Sequence, residues 1–289
     1  MRQEQLQEGS LCQLKMGRWD ASVKMKKGDL GKSIPEEIVR AMQDLVEDRT
    51  LLKDLATIRR SAKGLLVRNS LPFPVDGVFW IPKHKITELD EAFGKFQEEY
   101  TKRLNILCEN LEDMKANFKA KYPKYYRKEK YPTKRELAKK FYFHWNFFQF
   151  TLPDKEANIL SPAIYKKEQQ KFAGMVKQME EMTITLVGNM LLRRVEKLAS
   201  QCDSGKINAG TFSSIERFIE RWDDIWKEHV DEKKLRSIMI SLKKQMKSAS
   251  VERLKNNEDF RKSVSSTLEK TMERIKAVPD FTLKRSLDV

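Results

Sequence analysis

Apolar residues recur at helical spacing through most of this chain. Between residues 86 and 118 they follow one another at intervals of three or four, at Ile86, Leu89, Phe93, Phe96, Tyr100, Leu104, Leu107, Leu111, Met114 and Phe118. This spacing predicts one helix of about 35 residues with a continuous apolar seam, roughly 50 Å long. A seam of that length requires a second helix to cover it.

A second long helix is predicted to start at Ser161 and Pro162, an N-cap and first-turn pair, and to run to the breaker sequence SGKINAG at residues 204–210. Its apolar face is formed by Phe172, Met175, Met179, Met182, Leu186, Met190, Val195, Leu198 and Cys202. We expect the two long helices to pair antiparallel, joined through residues 119–161.

Two stretches favour β structure. Residues 11–25 predict a strand that is interrupted at Gly17. Residues 65–82 predict a hairpin, because β-prone ends flank a turn rich in Pro and Asp-Gly. Together these stretches predict a small sheet.

Capping boxes mark three further helix starts, at Ser33–Glu36, Thr133–Glu136 and Ser213–Glu216. In each box the first side chain binds a backbone N–H of the first turn, and the Glu three residues later binds back. Gly64 is expected to end the helix that starts at the first box.

These elements predict a mainly α fold class: an elongated antiparallel long-helix pair plus a helical bundle, with a small β-hairpin or sheet near the N-terminal third. Two further amphipathic helices are expected near 231–248 and 250–277. The chain is therefore predicted to divide into three segments. We expect residues 1–82 to form a helical segment with a small β element, residues 83–203 to form the long helical pair with a basic tip and an aromatic anchor, and residues 204–289 to form the helical bundle.

The composition indicates a folded, basic protein. The 289 residues are 40% hydrophobic and carry a formal net charge of +15, which attracts nucleic acid, acidic proteins or anionic lipid without specifying a fold. Cys12, Cys108 and Cys202 are odd in number and widely spaced. Neither a disulfide framework nor a zinc cluster is therefore predicted, and a reducing cytoplasm is the expected location. The apolar stretches fall short of the roughly 20 residues that a spanning helix needs, so no membrane span is predicted.

One segment carries much of the charge. Residues 115–140 contain eleven Lys or Arg against two Glu, interleaved with tyrosines. Three interpretations stay open: contact with phosphates and bases of nucleic acid, a solvated connection with tyrosines as amphipathic fillers, and docking to an acidic protein surface. The candidate contacts for an anionic partner are Lys121, Lys124, Arg127, Lys128, Lys130, Lys134, Arg135, Tyr125 and Tyr126.

The sequence FYFHWNFFQF at residues 141–150 holds seven aromatic residues in ten. Large aromatic side chains dominate the energetics of burial, so we expect this block to pack in a core or at a domain interface. It is predicted on the short helix that starts at Thr133–Glu136, where it would anchor the connection between the two long helices.

No pattern of catalytic residues is present. The three histidines, at His84, His144 and His229, do not have the spacing of a zinc-binding helix motif. Carboxylates recur every four residues at Glu216, Glu220, Asp224 and Glu228, but Arg and Lys are interleaved with them, which favours an ion-paired face over a metal site. We therefore predict no catalytic residue, no cofactor and no metal, and an enzyme is disfavoured.

Four motifs together resemble a known family. They are MGRWDASVKMKKGDL at 16–30, GVFWIP at 77–82, HWNFFQFTLP at 144–153 and GKINAGTFSSIERFIERWDDI at 205–225. The family they resemble is an uncharacterised bacterial and phage domain family of unknown function. The positions that carry the match are interpreted as fold determinants: Gly17, Trp19, Gly77, Trp80, Pro82 and Trp145.

Members of that family are typically encoded beside a MoxR-type AAA+ ATPase and often a von Willebrand factor A domain protein. The resemblance therefore implies a mainly helical accessory component of an ATPase-driven remodelling or defence module, with these two proteins as partners. It implies no catalytic residues.

Two hypotheses result. The first is a non-enzymatic, cytoplasmic helical adaptor or scaffold that binds protein partners, a MoxR-type AAA+ ATPase among them, through its long helical pair and basic tip. The alternative is a nucleic-acid-binding protein that uses residues 115–140.

Overall fold

The computed structural model describes residues 8–24, 42–149, 151, 161–228 and 233–278. These residues form two compact units, each drawn from separate stretches of the chain. The first unit contains residues 8–12, 66–86 and the described residues from 147 onward, and the second contains residues 13–24, 42–65 and 87–146. The three sequence segments divided at residues 82 and 203 stay a prediction.

Helices dominate the described residues, and the predicted mainly α class with a small antiparallel sheet is confirmed. The α-helices in chain order are α1 (Thr50–Arg68), α2 (Lys83–Glu109), α3 (Leu111–Lys121), α4 (Lys134–Lys140), α5 (Pro162–Ser204), α6 (Ala209–Arg221), α7 (Lys233–Ser248), α8 (Val251–Asn256) and α9 (Glu258–Lys276). A 3₁₀ turn spans Lys128–Lys130, and a π-helical turn spans Trp222–Trp226.

Six short strands in the described part of the chain form two sheets. They are β1 (Gly9–Met16), β2 (Ser22–Lys24), β3 (Met42–Asp44), β4 (Leu71–Pro72), β5 (Val78–Pro82) and β6 (Phe143–Phe148). The larger sheet has the order β4-β5-β1-β6, and the smaller one pairs β2 with β3 antiparallel, with Val23 opposite Gln43. The predicted interruption at Gly17 is confirmed, since β1 ends at the preceding residue.

The predicted hairpin is confirmed for its C-terminal part. Leu71 pairs with Trp80 across β4 and β5, and the turn between these strands places Gly77 at a φ of +73°. That left-handed conformation is open to glycine without strain, which explains why glycine occupies the position. The N-terminal part of the predicted hairpin, residues 65–68, is helical instead.

The expectation that Gly64 ends a helix is wrong. α1 continues through Gly64 to Arg68, and the flanking residues Ala62 and Leu66 are buried. A glycine inside a helix costs about 1 kcal/mol relative to alanine, and burial of the neighbouring apolar side chains outweighs that cost. The helix start predicted at Ser33–Glu36 lies outside the described residues.

The apolar seam predicted over residues 86–118 is divided between α2 and α3, with Asn110 at the junction. Hydrogen bonds continue across it, because the Asn110 N–H donates to the Ile106 carbonyl oxygen at 3.0 Å and the Met114 N–H donates to the Asn110 carbonyl oxygen at 2.9 Å. The two helices thus nearly form one, and the prediction of one unbroken helix is wrong only at Asn110. Six seam residues are buried, at Leu89, Phe93, Tyr100, Leu107, Leu111 and Phe118.

The second long helix, α5, has the ends that were predicted. Ser161 is its N-cap with Pro162 in the first turn, and Gly205 closes it in the left-handed conformation at a φ of +71°. Within the first unit α5 packs most extensively on α9. Its antiparallel pairing with the helix at residues 86–118 stays a prediction, because α5 and most of α2 belong to different units.

The helix start predicted at Ser213–Glu216 is wrong. α6 begins at Ala209, capped by Asn208, whose side-chain oxygen accepts the Gly210 N–H at 2.7 Å. The Asn208 N–H itself donates to the Gln201 side-chain oxygen on α5 at 3.1 Å. Asn208 thus caps α6 and is also hydrogen-bonded to the C-terminal part of α5, seven residues earlier.

The aromatic block forms a strand, so its predicted placement on a helix is wrong. α4 ends at Lys140, and residues 143–148 form β6. Phe141 and Phe143 are buried against Tyr100, with ring centroids 6.1 and 5.8 Å from its ring. The intervening Tyr142 is exposed. The block packs in a core as predicted, but with the two-residue alternation of a strand.

Among the described residues, no helix combines the length and the apolar character that crossing a bilayer would require.

Candidate anionic-partner interface

The basic segment, residues 115–140, lies in the second unit. It contains most of α3, the 3₁₀ turn at Lys128–Lys130 and the short helix α4. The capping box predicted at Thr133–Glu136 is present: the Thr133 hydroxyl accepts the Glu136 N–H at 3.2 Å, and the Glu136 carboxylate accepts the Thr133 N–H at 2.8 Å. The Thr133 hydroxyl also donates to the Glu136 carboxylate at 3.0 Å, and the two hydrogen bonds that this carboxylate accepts from Thr133 lower the pKa of Glu136.

A small apolar cluster anchors the segment. Leu45, Phe118 and Tyr131 are buried together, and the partly buried Trp19 and Tyr126 pack against them. The Tyr131 ring lies 6.4 Å from Phe118 and 5.2 Å from Tyr126 between centroids. Aromatic contacts of this kind fix both ends of the loop that follows α3. The basic side chains therefore project from an ordered framework.

Polar contacts with the residues around β3 use two of the candidate lysines. Lys121 forms an ion pair with Glu47, and the hydrogen bond to that carboxylate raises the pKa of Lys121. The Lys130 ammonium donates to the Gln43 side-chain oxygen at 3.1 Å, while the Gln43 amide donates to the Tyr125 carbonyl oxygen at 2.8 Å. Lys121 and Lys130 thus serve the internal structure of the segment.

Arg127 also has a local role. One of its terminal nitrogens donates to the carbonyl oxygens of Lys124 and Tyr126, both at 3.0 Å. This contact stabilises the irregular turn between α3 and the 3₁₀ turn. The residue as a whole is exposed.

Four exposed candidate cations form neither an ion pair nor a side-chain hydrogen bond with any described residue: Lys124, Lys128, Lys134 and Arg135. Their charge is therefore available to a partner. These four residues, rather than the full predicted set, form what we call the free basic patch.

The tyrosines of the segment divide into two pairs. Tyr122 and Tyr125 are 37% and 53% exposed, whereas Tyr126 is partly buried and Tyr131 is 8% exposed. The ammonium of Lys121 lies 5.6 Å from the ring centroid of Tyr122. Of the two tyrosines predicted as contacts, Tyr125 therefore presents its ring to solvent and Tyr126 belongs mainly to the anchor.

Five of the six predicted fold determinants lie in packed positions, and Gly77 is exposed in the turn between β4 and β5. At Gly17 an added Cβ would lie 2.2 Å from the Lys140 carbonyl oxygen, so this approach is open only to glycine. Trp145 donates from its indole N–H to Asp90 at 2.7 Å, and Trp19 contributes to the anchor cluster. Trp80 is buried in the core of the first unit, and Pro82, also buried, ends β5.

The histidines and the carboxylate series do not converge on one described site. His84 and Lys85 contact Asp224 at 3.2 and 2.8 Å, and His144 stacks on Tyr142 with ring centroids 5.8 Å apart. His229 lies outside the described residues. No group of three or more His, Cys, Asp or Glu that could hold a metal occurs in the part of the chain that the structure describes.

The internal partners of the basic segment were missed by sequence reasoning. Gln43 and Glu47 lie 87 and 74 residues before the lysines they bind, and no local pattern links such positions. Gly9 was missed for the same reason, although a Cβ there would lie 2.3 Å from the Ile81 carbonyl oxygen.

A family model described as "Protein of unknown function (DUF3150)" matches residues 6–194, more than half of the chain. No curated protein and no solved structure gives a significant match.

Proposed function

The chain belongs to this family of unknown function, and from that premise we propose that it is a non-enzymatic helical adaptor that binds an acidic protein surface through the free basic patch. The observation that carries the proposal is the combination of an ordered framework and unpaired charge. Phe118 and Tyr131 are buried in the anchor, while Lys124 and Lys128 are exposed.

An ordered framework favours binding because little conformational entropy is lost when the partner docks. Four unpaired positive charges on such a framework also steer an acidic surface into place and select against basic ones. The patch combines both properties, whereas a solvated, disordered connection would have only the charge.

The proposed partner is a MoxR-type AAA+ ATPase, with a von Willebrand factor A domain protein as a second component of the same remodelling or defence module. This identification rests on the family resemblance of the sequence motifs. The free basic patch is compatible with this partner, since binding through the patch requires only that the docking surface of the ATPase be acidic.

The test is capture of the purified ATPase by immobilised protein, together with the ATPase rate. We expect the wild-type protein to retain the ATPase and change its rate. A variant with Lys124, Lys128, Lys134 and Arg135 replaced by Glu should lose both effects while retaining its melting temperature within a few degrees.

A matched control reverses four exposed lysines of the first unit, at Lys166, Lys167, Lys247 and Lys255. The net charge of this variant equals that of the patch variant, so a general electrostatic effect would reduce capture equally in both. Equal capture by both variants, or no capture by the wild type, would contradict the adaptor proposal.

A second candidate function is binding of single-stranded nucleic acid, and the exposure of Tyr125 favours it. Tyr125 is 53% exposed and follows Lys124 in the chain, so it offers a base a stacking surface next to a phosphate contact. Only two tyrosines of the segment are exposed, so the platform would hold one or two bases.

Fluorescence anisotropy with labelled single-stranded DNA and RNA tests this second candidate. Stacking on one aromatic ring contributes about 1–3 kcal/mol per base, so Tyr125→Ala should weaken binding by at least fivefold, whereas Tyr125→Phe should not. Affinity should also fall steeply with salt. Equal affinities for the Ala and Phe variants would exclude base stacking at this position.

A further inference from the structure

We infer that the first unit contains a binding site for a phosphate group, formed by Arg68, Arg194, Arg217 and Arg221. This inference does not rest on the proposed function, which concerns residues of the other unit.

Three helices bring these residues together. Arg68 is the last residue of α1, Arg194 lies within α5, and Arg217 and Arg221 lie one turn apart at the end of α6. α5 and α6 pack against each other. The charges of Arg68 and Arg217 are close enough to Arg194 to lower its pKa.

Arg194 is fixed in position at the centre of the group. Its guanidinium carbon lies 5.2 Å from the ring centroid of Phe218, and one terminal nitrogen donates to the Met190 carbonyl oxygen at 2.6 Å. Its Nε, however, is buried without any hydrogen-bond acceptor. A buried donor of a charged group normally has a partner, because leaving it unpaired costs free energy.

The charges around the cluster are almost all positive. Burial is the main cause that lowers the pKa values of Arg194 and Arg221, and the other arginines of the cluster lower both further. Glu220 alone acts in the opposite direction on Arg221, and it is the smallest influence. The next carboxylates along the chain, those of Asp223 and Asp224, form ion pairs with Lys243 and Lys85.

Like charges in a partly buried group oppose folding, and this cost is removed when an anion enters. The planar fork of a guanidinium binds the oxygens of carboxylates and phosphates in pairs. A phosphate group carries close to two negative charges and three acceptor oxygens, so it satisfies several guanidinium groups at once. A single carboxylate has one charge and two oxygens, which fits four arginines less well.

The ligand is therefore a phosphate group, either free phosphate or the phosphate of a nucleotide. We would titrate the full-length protein with inorganic phosphate and with ATP by isothermal calorimetry, at ionic strength held constant with sodium chloride. Acetate serves as the carboxylate probe. We expect saturable binding of at least one phosphate compound, a rise in melting temperature on its addition, and no comparable effect of acetate.

Variants locate the site. Arg217→Gln removes one exposed guanidinium and should weaken binding on the order of tenfold. Arg194→Lys keeps the charge but removes the fork, and should weaken binding to a similar degree. Arg193→Gln, an exposed neighbour on α5, and the Glu variant of the free basic patch should bind as the wild type does.

A further readout separates binding from loss of structure. Without phosphate, Arg217→Gln should be at least as stable as the wild type, because one of the mutually repelling positive charges is gone. Addition of phosphate should raise the melting temperature of the wild type by more than that of Arg217→Gln. Tighter binding of ATP than of phosphate would identify a nucleotide site, and the reverse a free-phosphate site. The inference would be overturned if neither phosphate nor ATP bound more tightly than chloride, or if Arg217→Gln bound them as tightly as the wild type does.

Discussion

The hydroxyl of Tyr100 donates a 2.7 Å hydrogen bond to the backbone carbonyl oxygen of Gly17, and both residues are buried. The Gly17 N–H in turn donates to the Tyr142 carbonyl oxygen at 2.8 Å. The carbonyl oxygen and the N–H of Gly17 are thus both hydrogen-bonded, to residues that lie 83 and 125 positions away along the chain. This arrangement connects α2, the end of β1 and the start of the aromatic block within the second unit.

Replacing Tyr100 by Phe should destabilise the protein. The substitution removes the donor and leaves the buried Gly17 carbonyl oxygen without it, which costs about 1–3 kcal/mol. Tyr131→Phe is the matched change, because the Tyr131 hydroxyl is buried without a hydrogen-bond partner. That variant should differ from the wild type by less than about 0.5 kcal/mol. Urea denaturation of both variants measures the difference, and equal losses of stability would contradict the assigned hydrogen bond.

Stability should decline at alkaline pH through the same two tyrosines. Burial raises the pKa of Tyr100 and of Tyr131 from 10.0 to about 12. Above pH 10 the unfolded chain releases these protons while the folded chain retains them, so the free energy of unfolding falls as pH rises towards 12. Below pH 10 the stabilisation is fully present.

The alkaline prediction is checked by denaturation at several pH values between 9 and 12. Lysine and cysteine titration contribute to the wild-type slope, so the informative quantity is the difference from Tyr100→Phe. The variant should show a slope smaller by about one proton at most. Identical slopes for the variant and the wild type would show that Tyr100 titrates normally in the folded state.

Gly17→Ala and Gly94→Ala should have opposite effects. A Cβ at Gly17 would lie 2.2 Å from the Lys140 carbonyl oxygen and 2.6 Å from the Tyr142 ring, whereas nothing lies within 4 Å of a Cβ at Gly94. The first substitution should cost about 1–3 kcal/mol or more through overpacking. The second lies inside α2 and should stabilise the protein by about 0.5–1 kcal/mol. Thermal denaturation distinguishes them, and a tolerated Gly17→Ala would refute the close approach.

The cysteines should be unreactive in the folded protein. Cys12, Cys108 and Cys202 are buried and form no disulfide, and burial raises the pKa of Cys202 to about 11 and also raises that of Cys108. The reactive thiolate is therefore rare at pH 8. A thiol reagent should label the native protein slowly and the urea-unfolded protein rapidly at all three positions. Rapid labelling of one cysteine in the native state would identify a thiol that is more accessible than the structure indicates.

Helix ends show how far sequence reasoning reaches. Ser161, Pro162 and Gly205 were identified as the ends of α5, and Thr133–Glu136 as the start of α4, because each cap involves side chains and backbone within one turn. Asn208 was missed as the cap of α6, although its side chain accepts the N–H of Gly210 only two residues later, because SGKINAG was interpreted only as the end of α5. The signal for this helix start was therefore local and present in the sequence.

The aromatic block shows why a strand was missed. Phe141 and Phe143 are buried, but the exposed positions between and after them also carry aromatic residues, including Tyr142 and Phe148. The alternation of apolar and polar residues that marks a strand is therefore hidden. Placement beside β1 in the sheet decides the conformation.

For the basic segment, residue types alone establish a concentration of positive charge with tyrosines among it. Which charges are free depends on the tertiary structure, because Glu47 and Gln43 come from distant positions to bind Lys121 and Lys130. The position of Tyr126 within the anchor depends on the same packing.

The mainly α character, the buried seam of α2 and α3 and the ends of α5 follow from spacing and capping within the sequence, because these properties arise between residues less than two turns apart. The arginine cluster does not follow in this way. Arg217 and Arg221 belong to a series that predicted an ion-paired surface, yet folding places them near Arg68 and Arg194 from other helices. Electrostatic energy depends on distance in space, so only the packing of three helices turns these separate charges into one candidate site.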